Sequence, residues 1–97
     1  MSRGIRVLLA DDHLLVRKGL RALLEQFPGI DVLAEASDGV AALRLVREFL
    51  PDIVLMDISM KLMNGLEATA RIAREFPDVR VVILSTHVNE EYVLRSL

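Results

Sequence analysis

Three short stretches carry residue types that could act together in one reaction, namely Asp11-Asp12-His13, Asp57-Ile58-Ser59 and Ser85-Thr86-His87. Each ends or follows an apolar run. If those runs are strands of one sheet, three carboxylates and a hydroxyl converge on one rim, where ligands of open α/β sheets bind. Like charges gathered there raise each other's pKa unless a cation joins them. An oxygen-rich set without cysteine favours hard Mg²⁺ over zinc or copper. Octahedral Mg²⁺ held by two carboxylates keeps several waters, and a phosphoryl oxygen could take the place of one. The remaining carboxylate could then attack phosphorus.

Each feature alone has a plainer explanation. Asp11-Asp12 ahead of a helix could cap it and favour its dipole. Asp57 after a strand could be a turn residue, and Ser85-Thr86 a solvated turn. Their joint position at consecutive strand ends is what favours the chemical reading.

The elements that must position them are legible as periodicities. Four short apolar runs have the length of strands: Ile5 to Ala10, Ile30 to Ala36, Asp52 to Met56 and Val79 to Ser85. The first, third and fourth are apolar on both faces, as a parallel sheet covered on both sides requires, while the second alternates like an edge strand. Between them, Val16, Leu20, Leu23, Leu24 and Phe27 recur at helical steps before Pro28-Gly29. Asp38 is a good N-cap for a second helix carrying Val40, Leu43, Val46 and Leu50 before Pro51. A third carries Leu66, Ala70, Ala73 and Phe76, and a fourth begins near Asn89 with Tyr92, Val93 and Leu97 as its apolar face. The alternation βαβαβαβα with short loops implies right-handed crossovers and an α/β doubly wound parallel sheet.

Composition narrows the function classes. With 97 residues, 53% hydrophobic and 27% charged, the chain is sized for one globular domain. A net charge of −2 and the lack of any Lys/Arg run argue against direct DNA binding by this stretch. Cysteine is absent, which fits a reducing compartment, so the cytoplasm is the default. The apolar run at the N-terminus is too short for a signal peptide or a membrane span.

With these residues placed, the chain resembles the receiver domain of bacterial two-component response regulators, most closely the NarL/FixJ-type subgroup. The matching segments are Val7 to His13, Asp52 to Met60, Met63 to Ala68 and Val81 to Thr86, with Ser37 to Gly39. The resemblance implies a flavodoxin-like receiver fold with strand order 2-1-3-4, here without a fifth strand and helix. It implies that Asp57 is the phosphoacceptor, that Asp11, Asp12 and Asp57 hold Mg²⁺ with the backbone carbonyl of Ser59, and that Ser85 is the switch hydroxyl. Ser59 and His87 occupy positions that tune the lifetime of the aspartyl phosphate; an exposed-loop histidine is the plainer reading of His87. The implied partner is a sensor histidine kinase, with DNA contacted only through an output domain absent from this stretch.

Two departures from the family matter. Lys61 stands where the family usually has Pro, which loosens the loop after Asp57. The fifth-strand Lys and aromatic have no counterpart, and the only lysines are Lys18 and Lys61. The fourth strand is then an exposed apolar edge, so Leu97 is not expected to be a natural end: either further residues or a second copy, by exchange or edge pairing, should cover it. Three rivals come from other classes. A nucleotide binder would need a Gly/Ser/Thr loop where Asp11-Asp12 stands. An aspartyl-nucleophile phosphatase would carry Asp where Ser59 is. A receiver-like interaction domain that no longer takes phosphate would share every motif.

Overall fold

The computed structural model describes residues 4–58, 60 and 63–84. Its elements run β1 (Ile5–Ala10), α1 (Leu14–Glu25), β2 (Ile30–Ala36), α2 (Gly39–Phe49), β3 (Ile53–Asp57), α3 (Gly65–Glu75) and β4 (Arg80–Leu84). The strands form a parallel sheet in the order β2-β1-β3-β4. The doubly wound α/β class and the strand order are therefore as the sequence implies. Asp57 ends β3 rather than following it, and β4 begins one residue later than the apolar run. Ser59, Lys61, Ser85, Thr86, His87 and the fourth helix lie outside the described residues.

Alternation along the central strands sends side chains to two cores. Leu8, Ala10, Val54 and Met56 pack with Leu43 and Val46 of α2 and Ala68 and Ile72 of α3. On the other face, Val7, Leu9 and Val32 meet Leu20 and Leu24 of α1. Each fully buried aliphatic side chain stabilises the fold by about 2 kcal/mol relative to exposure. β4 is an edge among the described residues, with Val82 44% and Ile83 39% exposed.

The helix faces depart from the expected ones. On α3 the buried residues are Gly65, Ala68 and Ile72, whereas Leu66, Ala70 and Ala73 are not buried. In this alanine-rich helix two neighbouring rows are both apolar, and periodicity cannot choose between rows one step apart. On α1, Leu20 and Leu24 pack inward while Leu23 and Phe27 are exposed; on α2, Leu43 and Val46 are buried but Val40 and Leu50 are not. The α2 N-cap is as expected, since the Asp38 side chain accepts from the amide of Ala41 at 2.8 Å.

The other end of α2 is closed from β1. Arg6 donates through Nη2 to the Phe49 carbonyl at 2.7 Å and through Nη1 to that of Leu50 at 2.9 Å. A guanidinium at a helix C-terminus satisfies orphan carbonyls and complements the dipole. Leu50 itself adopts a left-handed conformation, φ 45°, which turns the chain sharply into Pro51.

Candidate functional site

Pairing register sets the site. Ala10 of β1 lies between Ala36 of β2 and Met56 of β3, so the next residues, Asp11 and Asp57, emerge together at the carboxyl edge. Both are enclosed, at 2% and 1% exposure. The Asp11 amide donates to the Ala36 carbonyl at 3.0 Å, prolonging the β1–β2 pairing by one residue.

Beyond Asp11 the chain turns at once into α1. The N-cap is His13, and its side chain makes no capping bond. Asp11 Oδ1 instead accepts from the His13 amide at 2.8 Å, an aspartate turn. The plainer reading of Asp11 as a helix cap is thus set aside. His13 Nδ1 lies 2.8 Å from Asp12 Oδ1 and 3.6 Å from Asp11 Oδ1.

One ligand atom from each of Asp11, Asp12, His13 and Asp57 can be chosen so that all lie within 4.8 Å of one another. Asp11 Oδ2 is buried and has no hydrogen-bond partner, a costly condition for a carboxylate oxygen. Burial pushes the Asp11 carboxyl above its usual range; the His13 amide pulls back, and the nearby charge of Asp57 adds to the rise. A divalent cation would relieve both the desolvation and the repulsion. Hard carboxylate oxygens with an orphaned buried atom fit Mg²⁺.

Two features near this site leave no mark in the hydrophobic periodicity of the sequence. The first is an ion-pair clamp: Arg17 on α1 donates through Nη1 to the Asp11 carbonyl at 2.8 Å and through Nε to Glu35 Oε1 at 2.8 Å. Glu35 also takes bonds from Lys18 at 3.0 Å and Arg21 at 2.7 Å. Burial pushes the Glu35 carboxyl up, but the bonds from Arg21, Arg17 and Lys18 outweigh it and hold the group at about 2. The first helix is so clamped to β2 beside Asp11.

Gly65, at the start of α3, is the second. A β-carbon there would overlap the Asp57 carbonyl oxygen and stand 2.6 Å from Ile58 Cα. The Gly65 amide donates to the Ile58 carbonyl at 3.2 Å, and the Asn64 side chain caps α3 by accepting from the Glu67 amide at 2.8 Å. Close approach of helix and strand at Asp57 is thus available to glycine alone. A separate cleft of about 390 Å³ opens at the opposite pole, between Leu50, Asp52, Phe76 and Pro77. It lies by the amino ends of β3 and β4, away from the acidic cluster.

This strand order and its acidic rim coincide with a known family: residues 7–97 match the response regulator receiver domain. The chain belongs to that family. It is 48% identical over 89 residues to the transcriptional regulatory protein LiaR of Bacillus subtilis, covering 92% of this chain and 42% of LiaR. Among solved structures it is similar to a LuxR-family two-component response regulator from Aurantimonas sp. SI85-9A1, at TM-score 0.82 and 41% identity, covering 96% of this chain and 66% of that one. It also matches the signal receiver domain of the putative response regulator NarL from Mycobacterium tuberculosis at TM-score 0.83 and 34% identity, covering 98% and 77%. The receiver thus falls among regulators of the LuxR and NarL type, as the sequence implies. It spans about two-fifths of the curated relatives, 42% of LiaR and 38% of UvrY from Escherichia coli. Among the described residues no helix is long and apolar enough to cross a membrane.

Proposed function

We propose that this receiver takes a phosphoryl group onto Asp57 in a Mg²⁺-dependent reaction, as the input step of a two-component transcriptional regulator. The observation that carries the reading is the enclosed Asp11–Asp57 pair with an orphaned oxygen on Asp11. Asp11, Asp12 and Asp57 would hold the ion with the backbone carbonyl of Ser59. When bound, Mg²⁺ supplies charge neutralisation for the carboxylates and for the oxygens of the incoming phosphoryl group.

Asp57 then acts as nucleophile. Its carboxylate oxygen forms a bond to phosphorus as the phosphorus–nitrogen bond to a sensor histidine kinase breaks, and the imidazole leaves with the electron pair. Gly65 lets α3 close on the Asp57 backbone, and Arg17 holds the Asp11 backbone, so the two carboxylates stay aligned through the transfer. Ser85 serves as the switch hydroxyl, while Ser59 and His87 tune the lifetime of the aspartyl phosphate. DNA is reached through an output domain outside this stretch, and the apolar edge of β4 pairs with a further segment or a second copy.

Intact mass of the full-length protein, incubated with acetyl phosphate and Mg²⁺, tests the reading. One phosphoryl adduct, lost on Asp57→Asn and on chelation, is the expected result. Absence of an adduct in a folded protein would favour an interaction domain that no longer takes phosphate.

A further inference from the structure

The cluster contains an imidazole that the acidic chemistry does not use. His13 is half exposed, and its Nδ1 stands 2.8 Å from Asp12 Oδ1. That contact is a hydrogen bond, and it keeps the imidazole in the group of four residues whose ligand atoms lie within 4.8 Å of one another. The backbone is also fixed, because the His13 amide donates to Asp11 Oδ1 and its carbonyl accepts the Arg17 amide at 2.9 Å. The second sign of a ligand is independent of the imidazole: Asp11 Oδ2 is buried and without a hydrogen-bond partner, and Asp11 belongs to the same group of four.

We propose that His13 is a metal ligand and sets the metal selectivity of this site, giving borderline divalent ions such as Co²⁺ an advantage over Mg²⁺ that an all-oxygen site lacks. The inference rests on the reading of Asp11, Asp12 and Asp57 as a metal site. Imidazole nitrogen is a good ligand for the later first-row ions, whereas Mg²⁺ prefers oxygen and readily keeps water instead. Ligation through Nδ1 would replace its hydrogen bond with Asp12 and leave the imidazole proton on Nε2.

Calorimetric titration of the metal-stripped full-length protein with Mg²⁺ and with Co²⁺, in wild type and His13→Ala, tests this. Proton NMR of the Co²⁺ form adds a direct signature, a strongly shifted exchangeable Nε2–H resonance. In His13→Ala the Co²⁺ affinity should fall about tenfold or more and that resonance disappear, with Mg²⁺ affinity changed by no more than about twofold. His87→Ala, which removes the other histidine, should keep the resonance, and His13→Gln should repeat the alanine result in a folded protein. Equal changes for both ions, or a resonance that survives loss of His13, would overturn the role of His13 while leaving the metal site standing. Wild type that binds neither ion would overturn the metal site and this inference with it.

Discussion

Asp11 and Asp57 close the carboxyl ends of two hydrogen-bonded neighbours, β1 and β3, with barely any surface left to water. Without a cation this arrangement costs stability. Burial first, and then the Asp57 charge, raise the Asp11 carboxyl pKa in the fold. A raised carboxyl destabilises the fold at high pH, and the cost fades as pH falls through the folded-state pKa. Asp11→Asn should therefore raise metal-free stability at neutral pH by about 1 kcal/mol, a Tm increase of several degrees for a domain this size. The same variant should lose the Mg²⁺-induced rise in Tm. Calorimetry with and without Mg²⁺ checks both halves.

Glu35 has the opposite sign. Its carboxyl is held at about 2 against an ordinary 4.5, so its stabilisation is complete above the ordinary value and is lost as pH falls towards 2. Glu35→Gln should cost about 2 kcal/mol at neutral pH, since Arg17 and Arg21 keep their charge but lose their partner. Urea unfolding at neutral pH and at about pH 3 should show the gap between variant and wild type narrowing on acidification. A gap that widens would contradict the linkage.

Gly65→Ala should lower stability by about 2 kcal/mol, because the added carbon meets backbone at Asp57 and Ile58 rather than a yielding side chain. Displacing α3 should also weaken Mg²⁺ binding. Chemical denaturation and a Mg²⁺ titration read the two effects separately.

Leu50 offers a gain. In its left-handed conformation a side chain costs about 1–2 kcal/mol, and this one is 54% exposed, so little packing is at stake. Leu50→Gly should stabilise the protein by about 0.5 kcal/mol even after the entropy cost of glycine in the unfolded chain. Thermal unfolding supplies the sign, and a lower Tm would contradict the strain argument.

What is legible in the sequence follows the range of each interaction. β1 and β2 have the bounds of their apolar runs, and the α2 cap is readable because Asp38 and Ala41 are local. Asp11, Asp12 and Asp57 stand out because strand ends align in a parallel sheet. The buried row of α3 is not readable, because Ala68 and Ala70 look alike until tertiary contacts choose between them. Gly65 acts through a contact with β3, Glu35 through three cations on α1, and His13 through a side chain folded back over Asp12. None of these leaves a trace in hydrophobic periodicity. Ser59, Ser85 and His87 fall outside the described residues, so their roles are proposals drawn from the family.

The central claim is that phosphorus bonds to Asp57. Phosphorylated full-length protein, reduced with borohydride, converts an aspartyl phosphate to homoserine, and tandem mass spectrometry of the digest locates that change. The account predicts the conversion at position 57, dependent on Mg²⁺ and absent without a phosphoryl donor. Conversion at Asp11 or Asp12 instead, or a phosphate found on a serine with Asp57 unchanged, would contradict it.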